Sequence, residues 1–236
     1  MRRTLLLFAF VLIWIAPASG QSAVVSWFPI HVGDRWIYEH ETRDDSGGGT
    51  AHLEIHRWRT EETTVGSWPS PEGMLVARRV RVIEGSPPPD WIDPERERAY
   101  LIRGDCLYGS EVEWESRDHH ISTAFREDSL AGHVAADFCF PLVVGKTWGA
   151  PQWAEWRAPA DAKDWRVTGE RVMDSSAPST RDIFHVTSAS SYLGSGMTAD
   201  IWFEKGVGIV REEEIHHGTI GEERTRLLRF ESAQRR

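Results

Sequence analysis

Apolar and polar residues alternate with a period of two through much of the chain, as in strands that bury one face and wet the other. From Met74 to Ile83, the side chains of Met74, Val76, Val80 and Val82 share one face and Arg79 and Arg81 the other, while Arg78 puts a charge among the apolar set. The same reading covers Arg35–Thr42, Thr50–Arg59, Ala99–Tyr108, Asp164–Met173, Asp182–Ser191, Thr198–Glu204, Val207–His216 and Glu223–Glu231, each bounded by Gly, Ser, Pro or Asp. These nine strands with short polar turns predict a mainly β fold of antiparallel sheet. One segment, Thr123–Ala136, is compatible with a helix through Phe125, Leu130 and Val134, although Gly132 weakens it. Pro87, Pro88 and Pro89 predict an extended surface connection.

The start of the chain follows a different pattern. Met1-Arg2-Arg3 is basic, Leu5 to Ala16 is uninterrupted apolar sequence, and Ala16 to Gln21 is a small-residue segment suited to signal peptidase. An apolar run of this length falls short of the roughly 20 residues that cross a bilayer as a helix. The expectation is a leader over residues 1–20, cleaved after Gly20, with no transmembrane segment in the mature chain and a periplasmic or secreted destination. No cysteine lies near the cleavage region to carry a lipid.

The mature sequence echoes itself. Phe28-Pro29-Ile30-His31-Val32-Gly33-Asp34-Arg35-Trp36 matches Phe140-Pro141-Leu142-Val143-Val144-Gly145-Lys146-Thr147-Trp148 at five of nine positions. A weaker echo sets Tyr100–Tyr108 against Trp202–Val210, with Gly104 on Gly206. Pro fixes the approach, Gly permits a tight turn, and the following Trp opens a strand with a large ring to bury. These echoes predict two related β units, 21–136 and 137–236, the second packed against the first.

At these motifs the chain resembles a set of uncharacterised exported bacterial β-proteins that carry FPLxxGxxWxY and, later, WFxxGVGxV. The matching residues are Phe28, Pro29, Gly33, Trp36 and Tyr38, then Trp202, Phe203, Gly206, Val207, Gly208 and Val210, with Ile30 in place of the Leu. The resemblance touches about twenty residues of the chain. It implies strongly curved antiparallel sheets, half-barrel or LolA-like as in lipoprotein carriers, around an apolar concavity. It transfers no catalytic residue.

Composition narrows the partners. The 236 residues are 40% hydrophobic and 11% aromatic, enough for a substantial core, and the formal charge of −9 argues against a nucleic-acid partner. Asn is absent, which excludes Asn-linked glycans, and Arg far outnumbers Lys, as in GC-rich bacterial coding. Cys106 and Cys139 are the two cysteines, and in an oxidising compartment they predict one disulfide; free thiols, or a redox centre that no CxxC favours, are the alternatives.

Candidate chemistry is sparse. His52-x-Glu54-x-His56 places three metal-ligating types on one face of a strand, and zinc is the ion such a set would take; the same residues also suit a solvated face opposite Leu53 and Ile55. The pairs His119-His120 and His216-His217 project to opposite sides of a strand, and Glu212 to Glu214 and Asp44-Asp45 read as solvated surface. There is no GxSxG elbow, no Gly-rich phosphate loop and no dinucleotide fingerprint. Of the 12 tryptophans, Trp36, Trp148 and Trp202 are expected in the core, whereas Trp153 and Trp156 are candidate platforms for a ligand.

Together these features predict an exported, non-catalytic β-protein, with no cofactor, that binds an apolar or amphipathic small molecule or lipid, or an envelope protein. The alternatives are an extracytoplasmic metal-dependent hydrolase using the His/Glu cluster, and a purely structural or interaction protein.

Overall fold

A computed structural model describes residues 19–45, 53–71, 73–89, 94–112, 136, 138–148, 164–169, 183–192, 195–217 and 221–235. A helix, α1 (Ser19–Trp27), precedes twelve strands. The first six are β1 (Arg35–Asp45), β2 (Leu53–Ser70), β3 (Gly73–Ser86), β4 (Glu95–Arg103), β5 (Cys106–Val112) and β6 (Phe138–Cys139). The second six are β7 (Thr147–Trp148), β8 (Asp164–Gly169), β9 (Ile183–Tyr192), β10 (Ser195–Glu204), β11 (Gly208–His217) and β12 (Gly221–Glu231), followed by a short 3-10 turn, Ala233–Arg235.

The mainly β prediction holds. All twelve strands form one antiparallel sheet, nearly closed into a barrel, in the order β6-β5-β4-β3-β2-β1-β12-β11-β10-β9-β8-β7. Among the described residues each half is thus a meander of six strands, and the halves join where β1 pairs with β12 from Arg35↔Glu231 to Asp44↔Gly221. Three details differ from the sequence reading, the first being that β2 runs on to Ser70 rather than ending at Arg59. Ala99–Tyr108 is a hairpin rather than one strand, turning at Gly104 with φ +61°. Helix appears at α1, which the leader reading left unassigned, while the helix read over Thr123–Ala136 lies outside the described residues except Ala136.

Alternation explains which residues meet. Val76, Ile102 and Leu107 from the first half and Val167, Val186, Ala199, Ile201 and Phe203 from the second point into one concave face and pack on Val24, Trp27 and Phe28 of the α1 segment. A smaller cluster of Leu75, Ala99 and Leu101 sits on the opposite face of β3 and β4 beneath Trp68 and Tyr108.

The echoed motifs adopt the same hydrogen-bonded turn. Gly33 N–H donates to Thr64 O (2.8 Å), Asp34 N–H to His31 O (2.8 Å) and Thr64 N–H to Asp34 O (2.9 Å). In the second copy, Gly145 N–H donates to Val167 O, Lys146 N–H to Val143 O and Val167 N–H to Lys146 O, each at 2.9 Å. Gly33 and Gly145 have φ of +92° and +86°, a region that disfavours a Cβ. Each motif also docks on a hairpin of the other half: Gly206 N–H reaches Ser26 O and Phe140 N–H reaches Asp105 O, both at 2.8 Å. Beside the second junction Cys106 and Cys139, paired in register on β5 and β6, form the expected disulfide.

Candidate functional site

The concave face has an apolar part and a polar part. In the apolar part, α1 lays Trp27 edge-on to Phe184 (5.1 Å) and near Phe140 (6.5 Å), and Phe203 meets Phe138 (4.7 Å). The apolar hollow implied by the family resemblance is therefore filled here by the chain's own helix. Arg78 forms the border. It is 3% exposed, with its guanidinium 3.8 Å from the Phe28 ring and 3.9 Å from the Trp36 ring, and Nη2 donates to Pro29 O at 2.9 Å. Ring faces attract the cation, and its formal partner is Glu62, 3.6 Å away and shared with Arg98 at 3.2 Å.

Beyond Arg78, register places two polar rows across the interior. One runs Val186, Ile201, Glu212, Thr225, His40 and Trp58 from β9 to β2. The next runs Ser188, Ala199, Glu214, Glu223, Thr42 and His56 over the same strands. In the first row, His40 is held between Thr225 Oγ1 on Nδ1 (3.0 Å) and Thr60 Oγ1 on Nε2 (2.8 Å), with the Trp58 ring stacked 4.9 Å away. In the second row, Ser188 is 3% exposed, and its hydroxyl and that of Thr42 are buried without a hydrogen-bond partner.

Charged side chains of other strands act on these rows. Burial, aided by the cations of Arg98 and Arg96 on β4, lowers the His40 pKa to about 3, so the imidazole is neutral at ordinary pH. Burial and the facing Glu214 raise the Glu223 pKa, while Arg98, Arg96 and His216 act in the opposite direction. Tyr38, whose hydroxyl donates to Ile209 O at 3.1 Å, is pushed well above its ordinary value, chiefly by burial. Carboxyls thus stand on β11 and β12 and guanidiniums on β4, where Arg98 is engaged by Glu62 and, on β11, Glu214 lies 3.9 Å from His216.

The outer face is a lattice of ion pairs. Glu41 bonds Arg57 (2.7 Å) and Arg43 (2.8 Å), and Glu39 bonds Arg226 (2.7 Å) and Arg59 (3.4 Å). Arg35 is paired with Glu61. Across β8, β9 and β10, Thr168 Oγ1 meets His185 Nδ1 (3.0 Å) and His185 Nε2 meets Asp200 Oδ1 (2.6 Å). The imidazole also stacks 4.6 Å from Trp202, which Arg211 approaches at 4.5 Å.

The sequence-selected residues fare unevenly. Trp36 is fully buried and its indole N–H donates to Val207 O at 2.7 Å, as expected. Trp148 is half-buried at the edge of the core. Trp202 is half-buried between His185 and Arg211, not in the core, because alternation hands the inward place to Phe203. Glu54 and His56 lie 3.7 Å apart, and Ile55, expected to be buried, is 45% exposed because this face of β2 is the outer one. His52, Trp153 and Trp156 lie outside the described residues. Glu212 and Glu214, read as solvated surface, are half-buried and line the interior, whereas Glu213 faces out to Arg211. The signal for them was available: their pairing partners Ile201 and Ala199 are apolar strand residues on the inner face.

No protein-family model and no curated protein matches this sequence. Solved structures similar to it include a Bacteroides fragilis protein, named as a candidate exported protein with a YmcC-like fold, at 10% identity and a TM-score of 0.43. Another is a candidate lipoprotein of Parabacteroides distasonis, at 11% identity and a TM-score of 0.44. Each comparison covers 87% of this chain and 99% of the other.

Proposed function

We propose that this chain is an exported, non-catalytic binding protein that holds an amphipathic ligand on the concave face of its curved sheet. The observation that carries this reading is the division of that face: an apolar part closed by α1 and a polar part in which His40, Glu212, Glu214 and Glu223 face Arg96 and Arg98. Buried polar side chains are costly to place inside a sheet unless they are hydrogen-bonded, so an interior this rich in them suits a ligand with a polar end. Export is supported by the leader and by the Cys106–Cys139 bridge, which persists in oxidising compartments. The charged outer lattice suits water, because Arg and Glu facing lipid at the midplane of a bilayer are strongly disfavoured.

Native mass spectrometry of protein recovered from a host periplasm tests the reading. The expected result is a chain lacking residues 1–20 that carries a noncovalent small-molecule adduct, released on denaturation. A chain that retains the leader, or one that never carries an adduct under any preparation, would overturn it.

A further inference from the structure

Four turns gather at one end of the sheet. Neighbouring strands are antiparallel throughout, so β1, β5, β7 and β11, which stand an even number of places apart in the order, run the same way. The FPxxVGxxW turns lead into β1 and β7, and the hairpins at Gly104 and Gly206 lead into β5 and β11. All four turns therefore share one rim, where Gly206 N–H reaches Ser26 O and Phe140 N–H reaches Asp105 O.

Both halves present the same two features there. The motif copies share Phe, Pro, Val, Gly and Trp. The fold uses Phe28 and Phe140 as buried rings and Gly33 and Gly145 at positive φ, while Pro sets the approach and Trp opens a strand. The shared Val has no such duty: Val32 is 58% exposed and Val144 48%, and Val143 next to it is 56% exposed, more than any other large hydrophobic residue described. The hairpins carry the second feature. Arg103 and Lys205 hold equivalent places just before Gly104 and Gly206, both are exposed, and neither has an ion-pair partner among the described residues. Arg43, Arg57, Arg211 and Arg226 of the outer lattice are by contrast all paired with Glu.

We propose that this rim docks on the surface of an anionic phospholipid bilayer, with the Val side chains entering the headgroup boundary and Arg103 and Lys205 resting among the lipid phosphates. Apolar tips flanked by unpaired cations are what interfacial membrane contact requires. Separate turn tips suit a fluid surface that closes around each; they fall far short of the roughly 800 Å² per partner that a stable protein interface buries. The inference goes beyond the proposed function and does not depend on it.

Cosedimentation of the purified mature protein with vesicles tests this, comparing phosphatidylcholine alone with phosphatidylcholine containing about 30% phosphatidylglycerol. Binding to the anionic vesicles should be at least about tenfold tighter, the gain expected of two cations at a charged surface. Val32→Ser combined with Val143→Ser and Val144→Ser should weaken binding to the anionic vesicles, and Arg103→Gln with Lys205→Gln should abolish the preference for them. Ile83→Ser, at an exposed apolar position near the other end of β3, should change neither. Melting followed by circular dichroism shows that each variant folds. Absence of binding to anionic vesicles, equal binding to both kinds, or binding that the rim substitutions leave intact or that Ile83→Ser weakens as much, would overturn the inference. The adduct expected on the concave face is read without vesicles, so each proposal can fail alone.

Discussion

Arg78 is a cation in a place that alternation reserves for a hydrophobe, and the environment has been built around it: two aromatic faces, a carbonyl and Glu62. Replacing it by Met should cost about 1–3 kcal/mol, since Glu62 keeps Arg98 but the Pro29 carbonyl loses its buried donor; urea denaturation of Arg78→Met measures this. A second prediction concerns protons. His40 is held below its ordinary value, at about 3, so the unfolded chain binds a proton there that the folded chain refuses. Its contribution is complete above about pH 6.5 and is lost as pH falls toward 3, with a slope of at most about 1.4 kcal/mol per pH unit. Glu223, held above its ordinary value, has the opposite sign: its cost to folding is relieved on acidification. Urea midpoints from pH 7 to 4 should therefore fall more steeply for the native chain than for His40→Gln. The break at Arg78 was visible in the sequence; its cage was not, because Phe28 and Trp36 reach it only through the folded sheet.

Among elements, the two FPxxVGxxW turns offer a matched experiment. Gly33→Ala and Gly145→Ala each force a Cβ into positive φ and should each cost about 1–2 kcal/mol. A Cβ at Gly33 would stand 3.4 Å from Ala233, whereas the space around Gly145 is open, so the first substitution should lower the thermal midpoint slightly more. Equivalent penalties would support the proposal that residues 21–136 and 137–236 are related units. These turns were legible because Pro, Gly and Trp recur at fixed spacing. The hairpin at Gly104 was not, since Leu101 and Ile102 are both buried, one under each face, and alternation marks no boundary there. The long second half of β2 was missed for a related reason: its inward positions are Thr60, Glu62 and Thr64, which look solvated until the interior they serve is seen.

At the scale of the molecule, β6 and β7 end the sheet as strands of two residues each, and the disulfide ties β6 to β5. Replacing Cys106 and Cys139 together by Ser opens a loop with a sequence separation of 33 and should cost roughly 3 to 4 kcal/mol, read from urea midpoints with and without reductant. That the whole is one sheet could not be read from local pattern, because the pairing that unites it joins the two ends of the described chain. Arg35 faces Glu231 across the β1–β12 seam, so this central zipper cannot close until the last strand has been delivered. Contacts so distant along a chain form slowly. A polypeptide lacking β12 would have no partner for the free edge of β1, and its two halves would not be joined into one sheet. Halting synthesis before Gly221 should leave a nascent chain that protease digests readily, while the completed chain resists.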